Sequence, residues 1–210
     1  MTWKEARGST RHTKPDLVLE AVSSIGVDGP MAIQSRGCGS PGDFISLPAS
    51  FLSLHTNMTR GQMANQARQL GHQFVKLRFG VFDEQGYPGD VLYPGHYKVN
   101  GQIYPTGATN QVIKGSWLGA GDEEGCVPDT QNCFFQTQGD NSGVRCSLGH
   151  LPNLPSVTGY CKPDELALPV GPSKQTLLCA GRSMGFSGRR SWLLLNAFLI
   201  EFFLSAAVPS

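Results

Sequence analysis

His72, Gln73, Lys76, Asp83 and Glu84 lie in one short stretch and carry the side chains of this sequence best suited to metal or proton chemistry. If that stretch begins on a helix, positions 72 and 76 share a face, because residues four apart sit one turn above each other. Two histidines so placed bind one metal ion. A glutamate after the first takes a proton from metal-bound water, and a third ligand follows a glycine turn. Gly80 supplies the turn and Asp83 an acid beyond it, but Lys76 stands where the second histidine belongs and Gln73 where the glutamate belongs. Read from the residues alone, His72 is a surface histidine on a helix. Both departures damage hydrolysis. A glutamine accepts no proton near neutral pH, which forfeits general-base help worth roughly 10²–10⁴-fold. An ammonium has no lone pair and repels a neighbouring divalent cation.

The positioning element is the clearest helix of the chain, predicted over residues 59–78. Thr59 caps it, Met63, Ala67, Leu70, Phe74 and Leu77 recur at three- and four-residue spacing, and Gly80 stops it. Gln62, Asn65, Arg68, His72 and Lys76 fall largely away from that apolar stripe and are expected on the other face. Upstream, residues 16–22 alternate as a strand, residues 26–42 are rich in turn signals, and residues 44–54 hold a short strand interrupted at Pro48. Downstream, residues 87–117 read as short strands and turns, with Asn100-Gly101 as a hairpin signal. Residues 119–161 are loop-rich.

The totals narrow the setting. Lys and Arg number 17 against 16 Asp and Glu, so the charge gives no reason to expect nucleic acid. The 26 glycines and 14 prolines suit short elements joined by turns. Cys38, Cys126, Cys133, Cys146, Cys161 and Cys179 are even in number and spaced like loop staples, which points to disulfides in an oxidising compartment, with reduced buried thiols as the alternative. Paired zinc-finger spacing is absent. Asn57-Met58-Thr59 is a glycosylation sequon, whereas the polar first residues contain no signal peptide. His55, His96 and His150 lack partner spacing and read as surface or hydrogen-bonded histidines. Asp122-Glu123-Glu124 reads as a solvated acidic run. Residues 192–208 are apolar but short for a membrane span and interrupted by Asn196 and Glu201, leaving at most a weak membrane contact.

Leu77-Arg78-Phe79-Gly80-Val81-Phe82-Asp83-Glu84 resembles the signature of the calcium-activated chloride channel regulators, in which HExxH runs on into LRWGVFDE. Met1-Thr2-Trp3-Lys4, Pro15 to Val18, Pro30 to Asp43 and Lys174 to Ser183 resemble further family segments in the same order, so the likeness covers residues 1–183. It implies an α+β, zincin-like metallohydrolase domain fragment with a cysteine-rich carboxy-terminal segment. Its expected divisions are 1–118, 119–183 and an unrelated apolar tail at 184–210. It also implies that zinc, present in intact members, would have called on His72 and Asp83, which here are vestigial ligands, with Glu84 as the neighbouring acid.

The resulting expectations are a catalytically inactive regulatory or binding module, no bound cofactor, and a partner such as a chloride channel in the membrane. The implied location is extracellular or at the cell surface. A zinc hydrolase with a rearranged ligand set and a non-functional truncated product are the alternatives. The chain itself is expected to be an internal piece or short product of a longer protein. The retained acid beside a substituted base further suggests that the Lys76 ammonium fills the metal's place and pairs with Asp83.

Overall fold

The computed structural model describes residues 15–20, 29–53, 58–119, 121, 124–128, 132–146, 148–169 and 171–179. A mixed three-stranded sheet opens the fold, built from β1 (Leu17–Glu20), β2 (Met31–Ile33) and β3 (Phe44–Pro48) in the order β1-β3-β2. Strand β3 runs parallel to β1, with Leu17 opposite Ile45 and Leu19 opposite Leu47, and antiparallel to β2, with Ala32 opposite Ile45. Central β3 is almost wholly buried, as its run of apolar residues anticipates. Pro48 closes the strand rather than interrupting it, and a short helix, α1 (Ala49–Ser53), follows at once.

Helix α2 (Arg60–Phe79) lies close to its predicted bounds for the predicted reasons. The Thr59 side chain accepts from the Gln62 backbone N–H, and Gln62 Oε1 accepts from Thr59 N at 2.8 Å, so each end of the capping box satisfies a free donor. Gly80 ends the helix in the left-handed region (φ 62°, ψ 38°), and a Cβ there would collide with the Ser40 carbonyl. The turn therefore demands glycine twice, once for conformation and once for space.

One face of α2 packs on the sheet. Leu70, Leu77 and Phe74 join Ala32, Ile45, Leu47 and Phe51 in the first core. The opposite face is also covered. Val75, Phe79 and Val81 meet Tyr160, which in turn packs on Val144, Leu148, Leu154 and Val157. Arg68 Nε, on the face expected away from the apolar stripe, donates to the Pro152 carbonyl, and Gln69 Nε2 donates to Asn153 Oδ1. The reading of His72 as a surface histidine and of Lys76 as a residue of the open face is corrected: each is only 4% exposed, and Tyr160 lies over the histidine.

Two hairpins complete the elements. β4 (His96–Val99) and β5 (Gln102–Pro105) pair across Asn100-Gly101, both with positive φ, as an Asn-Gly turn requires. β6 (Gly115–Leu118) pairs with β7 (Phe134–Thr137), which joins the two sides of the expected 118/119 division. The last described helix, α3 (Lys174–Leu178), is capped by Ser173.

All six cysteines are paired, as Cys38–Cys179, Cys126–Cys133 and Cys146–Cys161. Reduced thiols are thereby excluded in this fold. Asn57, His55, Asp122, Glu123 and residues 184–210 lie outside the described residues. No helix among the described residues is long and apolar enough to cross a membrane.

Candidate functional site

Helix α2 and the turn after it bring His72, Lys76 and Asp83 together. Lys76 Nζ donates to both carboxylate oxygens of Asp83, at 3.0 Å to Oδ1 and 2.9 Å to Oδ2. His72 Nε2 lies 3.0 Å from Asp83 Oδ1, and the other ring nitrogen, Nδ1, lies 2.6 Å from the Tyr160 hydroxyl. Tyr87 Oη donates to Asp83 Oδ2 at 3.3 Å. The Asp83 side chain is the most open of the ion-pair members, at 19% exposure.

The position of Asp83 is enforced by backbone bonds on either side. Phe82 N donates to Gln175 Oε1 at 2.8 Å, Gln175 N to the Asp83 carbonyl at 3.1 Å, and Glu84 N to the Gly149 carbonyl at 3.0 Å. Lys76 is equally fixed, its carbonyl accepting from Gly80 N and from Gln34 Nε2. The Cys38–Cys179 bridge ties the loop beside Gly80 to the end of α3, and Cys146–Cys161 anchors the residue next to Tyr160.

Proton positions follow from the network. Burial opposes ionisation of Asp83, yet the Lys76 ammonium and the bond from His72 outweigh it and hold the carboxyl well below its ordinary range. Burial lowers the His72 pKa, against the pull of Asp83, and so favours the neutral ring. An ionised carboxylate only accepts, so Nε2 carries the His72 proton and Nδ1 accepts from Tyr160. Burial, with the charges of Glu84 and Asp83 nearby, raises the Tyr160 pKa well above its usual value and keeps that hydroxyl a donor. Burial and the Asp83 charge push Tyr87 up to about 12. Lys76 and Asp83 thus carry opposite charges beside a neutral His72 and a neutral Tyr160, with the Glu84 charge left outside this pair.

Gln73 does not join it. Its Oε1 accepts from the Ala32 N–H of β2 at 2.9 Å, so this side chain serves the sheet edge. Glu84 is fully buried beside Tyr160 rather than open to solvent. His96 stands edge-on to Trp117, with ring centroids 5.9 Å apart. His150 is half-buried: its Nδ1 is enclosed without a hydrogen-bond partner, and burial lowers its pKa to about 4.

A zinc ion does not fit this donor set. Of the three positions that the resemblance implies, 76 offers an ammonium, and the His72 lone pair is spent on Tyr160. Among the described residues, no three His, Cys, Asp or Glu side chains converge to hold a metal. Tyr160 and Tyr87 went unnoticed in the sequence. Neither has periodic spacing to His72, and the one available hint was that Tyr160 adjoins a cysteine.

The described residues thus form an α+β fold stapled by three disulfides, in which a helix is turned back by glycine onto an acid. Residues 2–185 match the family described as calcium-activated chloride channel N terminal, and the chain belongs to that family. It is similar to calcium-activated chloride channel regulator 2 of Mus musculus, at 28% identity, covering 82% of this chain and 18% of that protein. Regulator 2 of Homo sapiens is 27% identical over 87% of this chain and 19% of its own length. Regulator 1 of Bos taurus is 26% identical over 74% and 18%. The chain thus spans about a fifth of the length of these relatives. No solved structure matches it.

Proposed function

We propose that this chain is a non-catalytic regulatory module of the chloride channel regulator type, with a zincin-like arrangement of sheet and helix. It acts by binding a membrane protein such as a chloride channel from the extracellular side. The observation that carries the reading is the Gln73 side chain. It bonds the Ala32 N–H and puts an amide, which takes no proton near neutral pH, at the position where metal-dependent hydrolysis needs a carboxylate. The regulator names of the relatives support a channel partner, and the three disulfides support an oxidising compartment.

The test has two arms on the purified, disulfide-intact chain. A broad peptide library incubated with zinc should show no cleavage above a His72→Ala control. Applied outside cells that express a calcium-activated chloride conductance, the chain should shift that current, whereas reduced and alkylated protein should not. Zinc-dependent cleavage abolished by His72→Ala overturns the reading. So does an unchanged current from protein that melts cooperatively.

A further inference from the structure

We propose that the Lys76 ammonium is the resident cation of this site, a tethered substitute for a divalent metal, and that the domain folds and holds its post-helix turn without one. The proposal deepens the non-catalytic reading and rests on it for the role of the site. Its test reads metal content and stability instead of hydrolysis, so the two fail separately.

Asp83 Oδ1 accepts from Lys76 and from His72, and Oδ2 accepts from Lys76 and from Tyr87. Four contacts fill a carboxylate that accepts about four hydrogen bonds. His72 presents its N–H to Asp83 and takes the Tyr160 hydroxyl on its other nitrogen. Neither Asp83 nor His72 keeps a lone pair free for a metal. An incoming cation would have to break the Lys76–Asp83 pair, invert the His72 tautomer so that Nδ1 donates to Tyr160, and then sit beside the ammonium.

Cation and anion are also set by the backbone before they meet. Lys76 lies on the last turn of α2, one turn before the glycine stop, while the bonds of Phe82, Glu84 and Gln175 hold Asp83 beneath it. A metal ion in this place would bridge the end of a helix to the chain returning under it. The lysine makes the same bridge with a charge that cannot dissociate or be chelated. A buried pair of this kind need add little net stability over an apolar replacement, but losing one partner strands a charge and is strongly destabilising.

The test uses the full oxidised chain as wild type, Lys76→Met and the double variant Lys76→Met with Asp83→Asn. After equilibration with zinc and gel filtration, wild type should retain well below one zinc per chain, and neither EDTA nor zinc should move its melting temperature. Lys76→Met should melt lower by roughly 5 °C or more, and the double variant should recover part of that loss, because no buried carboxylate is left unpaired. If Lys76→Met does not fold but the double variant does, the proposal is likewise supported. Stoichiometric zinc in wild type that disappears in His72→Ala overturns it, as does a Lys76→Met protein as stable as wild type.

Discussion

Lys76 and Asp83 form a two-point contact, with Nζ 3.0 Å from one carboxylate oxygen and 2.9 Å from the other, across the glycine turn that ends the long helix. The contact gives the acid a counter-charge in a site where a lysine stands at the second histidine position. Asp83 closes a turn, and a lysine serves that purpose as its counter-charge.

Replacing that lysine should open the site to metal. Lys76→His puts an imidazole one helical turn from His72 and facing Asp83, which gives three protein ligands, the number that a catalytic-type zinc site uses. About one zinc per chain should be retained, with cobalt giving a tetrahedral visible spectrum and His72→Ala abolishing both. A folded Lys76→His protein that binds neither metal would show that the turn and helix are not spaced for coordination.

Tyr160 is the next wedge in the network. Its hydroxyl lies 2.6 Å from His72 Nδ1, and its ring joins two apolar clusters. Tyr160→Phe keeps the ring but leaves a buried acceptor unsatisfied, which costs about 1–3 kcal/mol. The lowered midpoint should appear in guanidinium melts, and the cost should vanish in a His72→Phe background. Equal losses in both backgrounds would place the effect outside the His72 bond.

The parts of this fold written locally were legible in the sequence. Thr59 and Gly80 bound the helix, and Asn100-Gly101 forms its hairpin, because each acts on neighbours a few residues away. An even cysteine count announced disulfides but not their partners, since pairing depends on tertiary approach. The burial of His72 and Lys76 was not legible. Tyr160, which covers the histidine, lies 88 positions from it, and helix periodicity reports polarity without reporting what else folds onto the polar face. A polar stripe and a buried polar network look alike until that second layer is known. The β6–β7 pairing escaped for a related reason, its two strands being separated by a loop that carries its own disulfide.

The disulfides should contribute unequally. Cys38–Cys179 closes a span of 141 residues and Cys126–Cys133 one of 7. Loop-closure entropy assigns about 5 kcal/mol to the first and about 2.5 kcal/mol to the second. Paired Cys→Ser variants, compared by guanidinium unfolding, should follow that order. The longer bridge should also release the Gly39–Gly80 contact, seen as faster amide exchange at Gly39. A larger loss from the short bridge would refute the ranking.

Acid should weaken the fold in two stages, separable by mutation. His150 has a folded pKa lowered to about 4 from its ordinary 6.5, because its ring is buried and its Nδ1 finds no partner. The unfolded chain therefore binds a proton that the folded chain refuses between these values. The contribution is fully present above about pH 6.5 and is lost as pH falls toward 4. His72, lowered in the same direction by burial, adds to this stage. Asp83 acts later. Its folded carboxyl is depressed below the ordinary 3.8, so the stability from its ion pair is present above that value and drains away as pH drops further. His150→Leu removes one proton site and the unsatisfied nitrogen together. Its melting temperature should fall less steeply than that of wild type between pH 6.5 and 4, while the slope below pH 4, to which Asp83 contributes, should stay unchanged. Parallel curves across the upper window would show that His150 is solvated in the folded chain.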